Sequence, residues 1–247
     1  MRLWKHLFGK LVLLSVGFVA LPGIPLAQET KTPAPAAKTE EIPFKPPVHP
    51  VTVEQLHSFL VVCHTAAFNR QLIHEKLAMQ QKQLPEWYPP EVWDEIVQAI
   101  DNIDLAEVAL PTYQKYIEQK DMDWLIKYMA TPAGQESIRA VIETNIRAQH
   151  AGATPEQATH QALELAQQDA GELQRIDRLM TPADHREISA HTAALKHLQP
   201  VLERISAEVG KAVIDKQLEL TKAISQQHQA DLTAAKRKYD ETHKSKP

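Results

Sequence analysis

The sequence is poor in the residues that build disulfide-linked or loop-rich folds. It has one cysteine and seven glycines among 247 residues. A single cysteine cannot close an internal disulfide, so burial of apolar side chains has to hold the fold together, and we expect Cys63 itself to be a buried thiol. Phosphate-binding loops and catalytic turns need well-placed glycines, and three of the seven lie at or before Gly23. The composition therefore argues against nucleotide-binding enzymes and against nucleophilic enzymes.

The sequence also lacks an excess of positive charge. Its formal net charge is −4, and without residues 1–27, which contain three basic and no acidic residues, it becomes −7. Nucleic-acid binding draws most of its affinity from lysine and arginine contacts with phosphates. We therefore expect no nucleic-acid partner.

Histidine is abundant, but its spacing does not suit a metal site. The chain has twelve histidines. His74 and Glu75 begin like a zinc-protease motif, but Ala78 stands where the second histidine would be required. We expect no native metal site, no bound cofactor and no catalytic residue.

Residues 1–27 have the layout of a cleavable signal peptide. Three basic residues precede or border the uncharged apolar run of residues 11–21, and small residues follow up to Ala27. A membrane-spanning helix needs about 20 apolar residues, which is more than this run supplies. We expect cleavage after Ala27 and a periplasmic or secreted protein without stable membrane insertion. The alternative is an uncleaved anchor that extends to Leu26.

Residues 28–50 form a Pro/Ala-rich segment that predicts a disordered linker. The segment holds six prolines and few large apolar residues, so it cannot bury enough surface to offset the entropy lost on ordering.

The rest of the chain predicts an all-α fold, a mainly antiparallel helical bundle with a long C-terminal helix. Thr52 and Gln55 have the spacing of a capping box, and apolar residues then recur at helical spacing, which predicts one helix from Val53 to about Gln83. We divide this region into a helical domain over residues 51–152, a helical extension over 153–235 and a basic charged tail over 236–247.

The long C-terminal helix is predicted from the sparse distribution of proline and glycine after Gln199. An apolar stripe runs through Ile205 and Val209 and then drifts to a neighbouring face at Ile214, Leu218 and Ile224. A helix of about 38 residues would be about 57 Å long at 1.5 Å per residue, so we expect its last third to project or fray.

A weak internal repeat links two helix starts. Residues 126–138 align without gaps on residues 176–188, and both contain Thr-Pro-Ala. The shared tripeptide is either a favoured helix start or the trace of a duplicated helical hairpin.

The stretch from Tyr113 to Ile138 combines aromatic residues, acidic helix starts and a turn. Asp121 or Asp123 is predicted to cap the helix that carries Trp124 and Tyr128. A second helix is predicted to start at a turn formed by Thr131, Pro132, Ala133 and Gly134.

This stretch resembles the domain of unknown function 2059 family of secreted bacterial proteins. The matching features are Tyr113 or Tyr116, the acidic helix start, the pair Tyr128-Met129 and the Thr131–Gly134 turn. The departures are Met129 where the family usually has an aromatic residue, and Thr131 where serine is commoner. The resemblance covers residues 53–149. It implies a small helical domain and no known activity.

Seven of the fourteen aromatic residues of the chain fall within 42 residues, and they allow two interpretations. They form either the anchoring cluster of the core or a groove for an apolar ligand or a partner helix. The candidate groove residues are Trp87, Trp93, Tyr113, Tyr116, Trp124 and Tyr128.

Three function classes follow from these patterns. The first is a non-enzymatic protein-interaction module that meets a protein partner, or a second copy of itself, through its helices. The second is a carrier of a small apolar ligand that uses the aromatic cluster. The third is a hydrolase, for which the sequence shows no catalytic constellation.

Overall fold

The computed structural model describes residues 46–153 and 170–243, and both ranges are helical. The helices are α1 (Val53–Val62), α2 (Thr65–Gln81), α3 (Pro90–Asp101), α4 (Leu105–Tyr116), α5 (Gln119–Met129), α6 (Pro132–His150), α7 (Ala170–Leu179), α8 (Pro182–Gln227) and α9 (Gln229–His243). The prediction of an all-α fold is confirmed. The predicted signal peptide, most of the predicted linker and the residues immediately after Ala153 lie outside the described ranges.

The core lies where α1, α4, α5 and α8 meet. Helix α8 packs against α3 and α4, and α1 packs against α4 and α5. Phe59, Trp93 and Tyr113 are fully buried in this core, and α8 adds Ile205 and Val209. The predicted helical extension therefore packs directly on the 51–152 region and completes its core.

The predicted continuous helix from Val53 to Gln83 is wrong, because the chain breaks between α1 and α2. His64 adopts a left-handed conformation with φ of 54°. Its Nε2 lies 2.8 Å from Oε1 of Gln135 on α6. The break depends on this long-range contact, and no glycine or proline marks it in the sequence.

The predicted cap of α5 is also wrong. Helix α5 begins after Glu118, and neither Asp121 nor Asp123 caps it. The Glu118 carboxylate accepts hydrogen bonds from the backbone amides of Val48 at 2.7 Å and His49 at 3.0 Å. These amides hold the pKa of Glu118 below its usual value.

The same contacts shorten the predicted linker. The amide of Val51 donates to the carbonyl of Ile117 at 3.2 Å, and the amide of Gln119 donates to the carbonyl of His49 at 2.9 Å. Residues 48–51 are thus attached to the start of α5, and the predicted disordered linker extends too far toward Pro50.

Helix α8 starts earlier than the sequence predicts and buries a different row of residues. It has 46 residues and begins at Pro182, after Thr181, whose side chain forms a capping box with Asp184. Val213 and Gln217 continue the buried row, whereas Leu218 is 37% exposed. The predicted drift is therefore wrong at Leu218, but Ile224, the last residue of the predicted stripe, is buried in the core.

Helix α9 continues the chain after a break at His228 and includes residues 236–243. Ion pairs at i,i+4 spacing join Lys236 to Asp240 and Arg237 to Glu241 along it. None of its residues is buried. The predicted charged tail is thus helical as far as His243. Within the described ranges, no helix has both the length and the apolar character needed to cross a membrane.

Candidate functional site

The six candidate groove aromatics lie in four separate places. Trp93 and Tyr113 are in the centre of the core, where the ring of Tyr113 lies 6.4 Å from that of Phe59. Trp87 is half-buried in the loop before α3, with its ring 6.0 Å from that of Tyr88. These positions favour packing roles for the three residues.

Tyr116 joins α4 to α8 through a polar cluster at the edge of the core. Its hydroxyl donates to Glu208 at 2.8 Å, Lys115 donates to the same carboxylate at 3.0 Å, and Arg204 lies over the tyrosine ring. Burial alone would raise the pKa of Glu208, but hydrogen bonds from these three side chains hold it below its usual value. The cluster therefore fixes the register of α8 on α4.

Trp124 and Tyr128 form a stack that joins α5 to the start of α8. Their ring centroids are 5.8 Å apart, and Trp124 also stacks on His191 at 4.7 Å. Lys127 of α5 forms an ion pair with Glu187 of α8 beside this stack. The stack holds the two helices together and is buried on the α5 side.

The Thr131–Gly134 turn is a packed corner. The Thr131 hydroxyl accepts from the Gly134 amide at 3.1 Å and donates to the Tyr128 carbonyl at 2.8 Å, and Pro132 is the first residue of α6. A Cβ on Gly134 would come within 2.7 Å of the Met129 Cα. The predicted cap is confirmed, and the glycine is required because α5 and α6 approach closely there.

The corner also anchors the end of α1. Gln135 Nε2 donates to the carbonyl of Val62 at 3.0 Å and to that of Met129 at 2.7 Å. Ala133 is fully buried beside it. Every residue of the turn therefore has a structural contact that accounts for its identity.

The most distinctive site is a cavity of about 220 Å³ between α1, α2, the α3–α4 connection and α8. None of the six aromatics lines it. Its walls are mainly aliphatic, and its lining residues are His57, Leu60, Val61, Asn69, Arg70, Ile73, Ile100, Asp101, Ile103, Asp104, Leu105, Ala106, Val213 and Gln217. His57, Val61 and Arg70 are exposed, so the cavity opens to solvent on their side.

Two buried carboxamide side chains line this cavity, and three of their polar atoms have no hydrogen-bond partner among the described residues. Asn69 is 1% exposed and Gln217 is 2% exposed. Neither Oδ1 nor Nδ2 of Asn69 has a partner among the described residues, and the same holds for Oε1 of Gln217. Buried polar groups are almost always hydrogen-bonded. These atoms are therefore open to a partner other than the described residues, such as a water molecule or a bound ligand.

Two histidine–aspartate pairs border the α3–α4 connection that forms one wall. His57 Nε2 lies 3.2 Å from Asp104 Oδ2, and His74 Nε2 lies 3.0 Å from Asp101 Oδ1. The other Asp104 oxygen caps α4 by accepting from the amides of Ala106 and Glu107. These contacts fix the wall of the cavity against α1 and α2.

Sequence reasoning did not identify Asn69 or Gln217 as candidate residues. Both occupy positions on otherwise apolar helix faces: Asn69 lies four residues before Ile73, and Gln217 lies four residues after Val213. The sequence signal for both residues was a carboxamide within an apolar stripe. This signal identified a shared site only when the fold placed α2 and α8 beside the same cavity.

In the part of the chain that the structure describes, no group of three or more His, Cys, Asp or Glu side chains converges as metal ligands would. Comparisons with protein-family models, with curated proteins and with solved structures found no match to this chain.

Proposed function

We propose that the protein is a non-enzymatic binding protein that holds a small, mainly apolar molecule in the cavity between α1, α2 and α8. The observation that carries this proposal is the set of unpartnered polar atoms, both of Asn69 and Oε1 of Gln217, on buried side chains among aliphatic walls. Ligand sites commonly combine apolar walls with a few placed polar groups, and this cavity has that composition. The proposal keeps the carrier hypothesis and moves its site away from the aromatic residues.

The volume of the cavity sets the size of the molecule. A cavity of roughly 150 Å³ accommodates benzene, and sites for drug-sized ligands start at roughly 300 Å³. The present cavity, at about 220 Å³, lies between these limits. It suits one small ring or a short branched chain with a polar group.

The lining favours binding over catalysis. The carboxamides of Asn69 and Gln217 do not titrate, so they cannot move a proton at neutral pH. His57 and Asp104 resemble part of a catalytic triad, but no serine, threonine or cysteine is among the described lining residues. The proposed role of the pair is to position the wall.

Export is part of the proposal. The basic start, apolar run and small residues up to Ala27 support a signal peptide, and hence a periplasmic or secreted binding protein. N-terminal sequencing of the purified protein tests this, with Gln28 as the expected first residue. Retention of Met1 in the membrane fraction would contradict it.

Native mass spectrometry of protein purified from its own host tests the binding function. The wild-type protein is expected to carry a small molecule, and Ala106→Val, which adds two methyl groups at a buried lining position, is expected to lose it. Ala151→Val, at an exposed position outside the cavity, is the matched control and should retain the molecule. If protein from every growth condition has the mass of the polypeptide alone, the proposal is contradicted.

A protein partner is the second candidate. The observation that favours it is α9, a helix of 15 residues with none buried. A stoichiometric complex with another protein, or with a second copy of this chain, in the same mass spectra would support this function. The ligand hypothesis would then require independent binding data.

A further inference from the structure

We infer that the ligand is a neutral molecule with a hydrogen-bond donor beside an acceptor, such as a primary amide or a lactam, on a small apolar body. This inference rests on the proposed binding function and adds the chemical class of the ligand. It follows from which polar atoms lack partners and from the uncharged polar groups deep in the cavity.

The unpartnered atoms of Asn69 define a donor–acceptor edge. Its Nδ2 can donate and its Oδ1 can accept, and neither has a partner among the described residues. An amide or lactam presents the complementary acceptor and donor on one edge, so it can form two hydrogen bonds with the Asn69 carboxamide. Exchanging the oxygen and nitrogen positions of Asn69 leaves this argument unchanged, because both atoms are unpartnered.

Gln217 supplies an additional acceptor from the opposite helix. Its Oε1 is buried and unpartnered in the same cavity. A primary amide has two N–H groups, of which one can pair with Asn69 while the other remains for a second acceptor. The two carboxamides together therefore favour a primary amide over a lactam, an alcohol or a ketone, each of which would leave at least one of these atoms unsatisfied.

The polar groups deep in the cavity argue against an ionic ligand. The charged lining residues at the edge are of both signs, Asp101 and Asp104 against Arg70, so they select neither a carboxylate nor an ammonium group. Deeper in the cavity, the polar groups are the uncharged carboxamides of Asn69 and Gln217. They cannot compensate the desolvation of a buried charge. A neutral ligand avoids this penalty.

Chemical-shift titrations with four matched probes test the ligand class. Benzamide, benzoate, benzylamine and toluene share one ring and differ in their polar group. We expect benzamide to bind most tightly, at least about tenfold more tightly than toluene, because two or more hydrogen bonds replace unsatisfied buried atoms. Shift changes should map to Leu60, Ile73 and Val213, which line the cavity.

Asn69→Leu is the decisive variant, because leucine is of similar size and presents no polar atom. The affinity for benzamide should fall to that for toluene, while toluene binding persists. Gln217→Leu repeats the test from α8, so the inference stays testable if one variant folds poorly. Thr65→Val is the matched control: Thr65 is fully buried with an unpartnered hydroxyl, but it is outside the cavity lining, so all four affinities should stay unchanged.

The outcomes separate the two levels of the proposal. Equal binding of benzamide and toluene, or tightest binding of benzoate or benzylamine, would overturn the ligand class and leave the binding function standing. Absence of cavity shifts with all four probes, together with a bare protein in the native mass spectra, would overturn the binding function as well. A fall of the benzamide affinity to that of toluene in Asn69→Leu, with toluene binding retained, supports both.

Discussion

Replacing Asn69 by leucine is expected to make the unliganded protein more stable. Asn69 is 1% exposed, and neither end of its carboxamide has a partner among the described residues. Mutations that introduce a polar residue into a protein core usually destabilise it. Here the native residue is the one that leaves polar atoms unsatisfied, so the sign of the effect should reverse.

The magnitude follows from the cost of burying an unsatisfied amide. Mutational data place that cost at about 1–3 kcal/mol. Leucine is also a somewhat better helix former than asparagine, and the site lies inside α2. We expect the free energy of unfolding to rise by about 1–3 kcal/mol. In a domain of this size each kcal/mol raises the Tm by about 2–4 °C.

Chemical denaturation and thermal melting of ligand-free protein measure the change. Thr65→Val should also stabilise the protein, because it removes another buried and unpartnered hydroxyl. Asn102→Leu, at an exposed position, should stay within about 0.5 kcal/mol of the wild type. Destabilisation of Asn69→Leu by more than about 1 kcal/mol would show that the carboxamide is satisfied in the free protein, and the reasoning from unpartnered atoms would fail.

Three further predictions concern the corner and the α8–α9 junction. Thr131→Ala should lower the free energy of unfolding by about 0.5–2 kcal/mol because it removes the cap of α6, whereas Thr131→Ser should retain it; equal melting curves for the two variants would contradict the cap. Gly134→Ala should cost about 1–3 kcal/mol because the added Cβ would meet the Met129 backbone, and an unchanged Tm would show that the corner can relax. Hydrogen bonding to Glu95 raises the pKa of His228. The stabilising contribution of the protonated histidine is therefore complete below the unfolded-state pKa and is lost as the pH rises through the folded-state pKa. Amide exchange in α9 should accordingly lose protection as the pH rises through this raised pKa, and the same loss in His228→Gln would contradict this assignment.

Helix ends with local capping chemistry could be predicted from the sequence. Thr52 forms the expected capping box with Gln55, Asp104 caps α4, and Thr131 caps α6. Gly152 ends α6 with φ of 93°. These features depend on residues within three or four positions of one another, which is the range that a sequence pattern reports.

Features set by long-range contacts could not be predicted in the same way. The break at His64 involves Gln135, and the start of α5 involves Val48 and His49. At the start of α5, the Glu118 side chain binds the backbone of residues 48–49. The aspartates that were predicted to cap this helix have other contacts. Asp123, for example, accepts from Gln55 at 2.6 Å.

The aromatic residues show why composition alone did not locate the site. Their clustering in sequence indicated either a core or a groove. The fold instead disperses them over the core, the loop before α3, the Glu208 cluster and the Trp124 stack. The candidate cavity depends instead on two uncharged polar residues about 150 positions apart in the sequence. Their significance lies in unsatisfied hydrogen bonds, which only the packed structure reveals.

A crystal structure of the protein grown with benzamide tests the central claim most directly. The account predicts density for the ring between Ile73, Ile100 and Val213, with the amide about 2.7–3.2 Å from the Asn69 side chain. A cavity that holds only ordered water hydrogen-bonded to Asn69 and Gln217, at a benzamide concentration above that of the titrations, would contradict it.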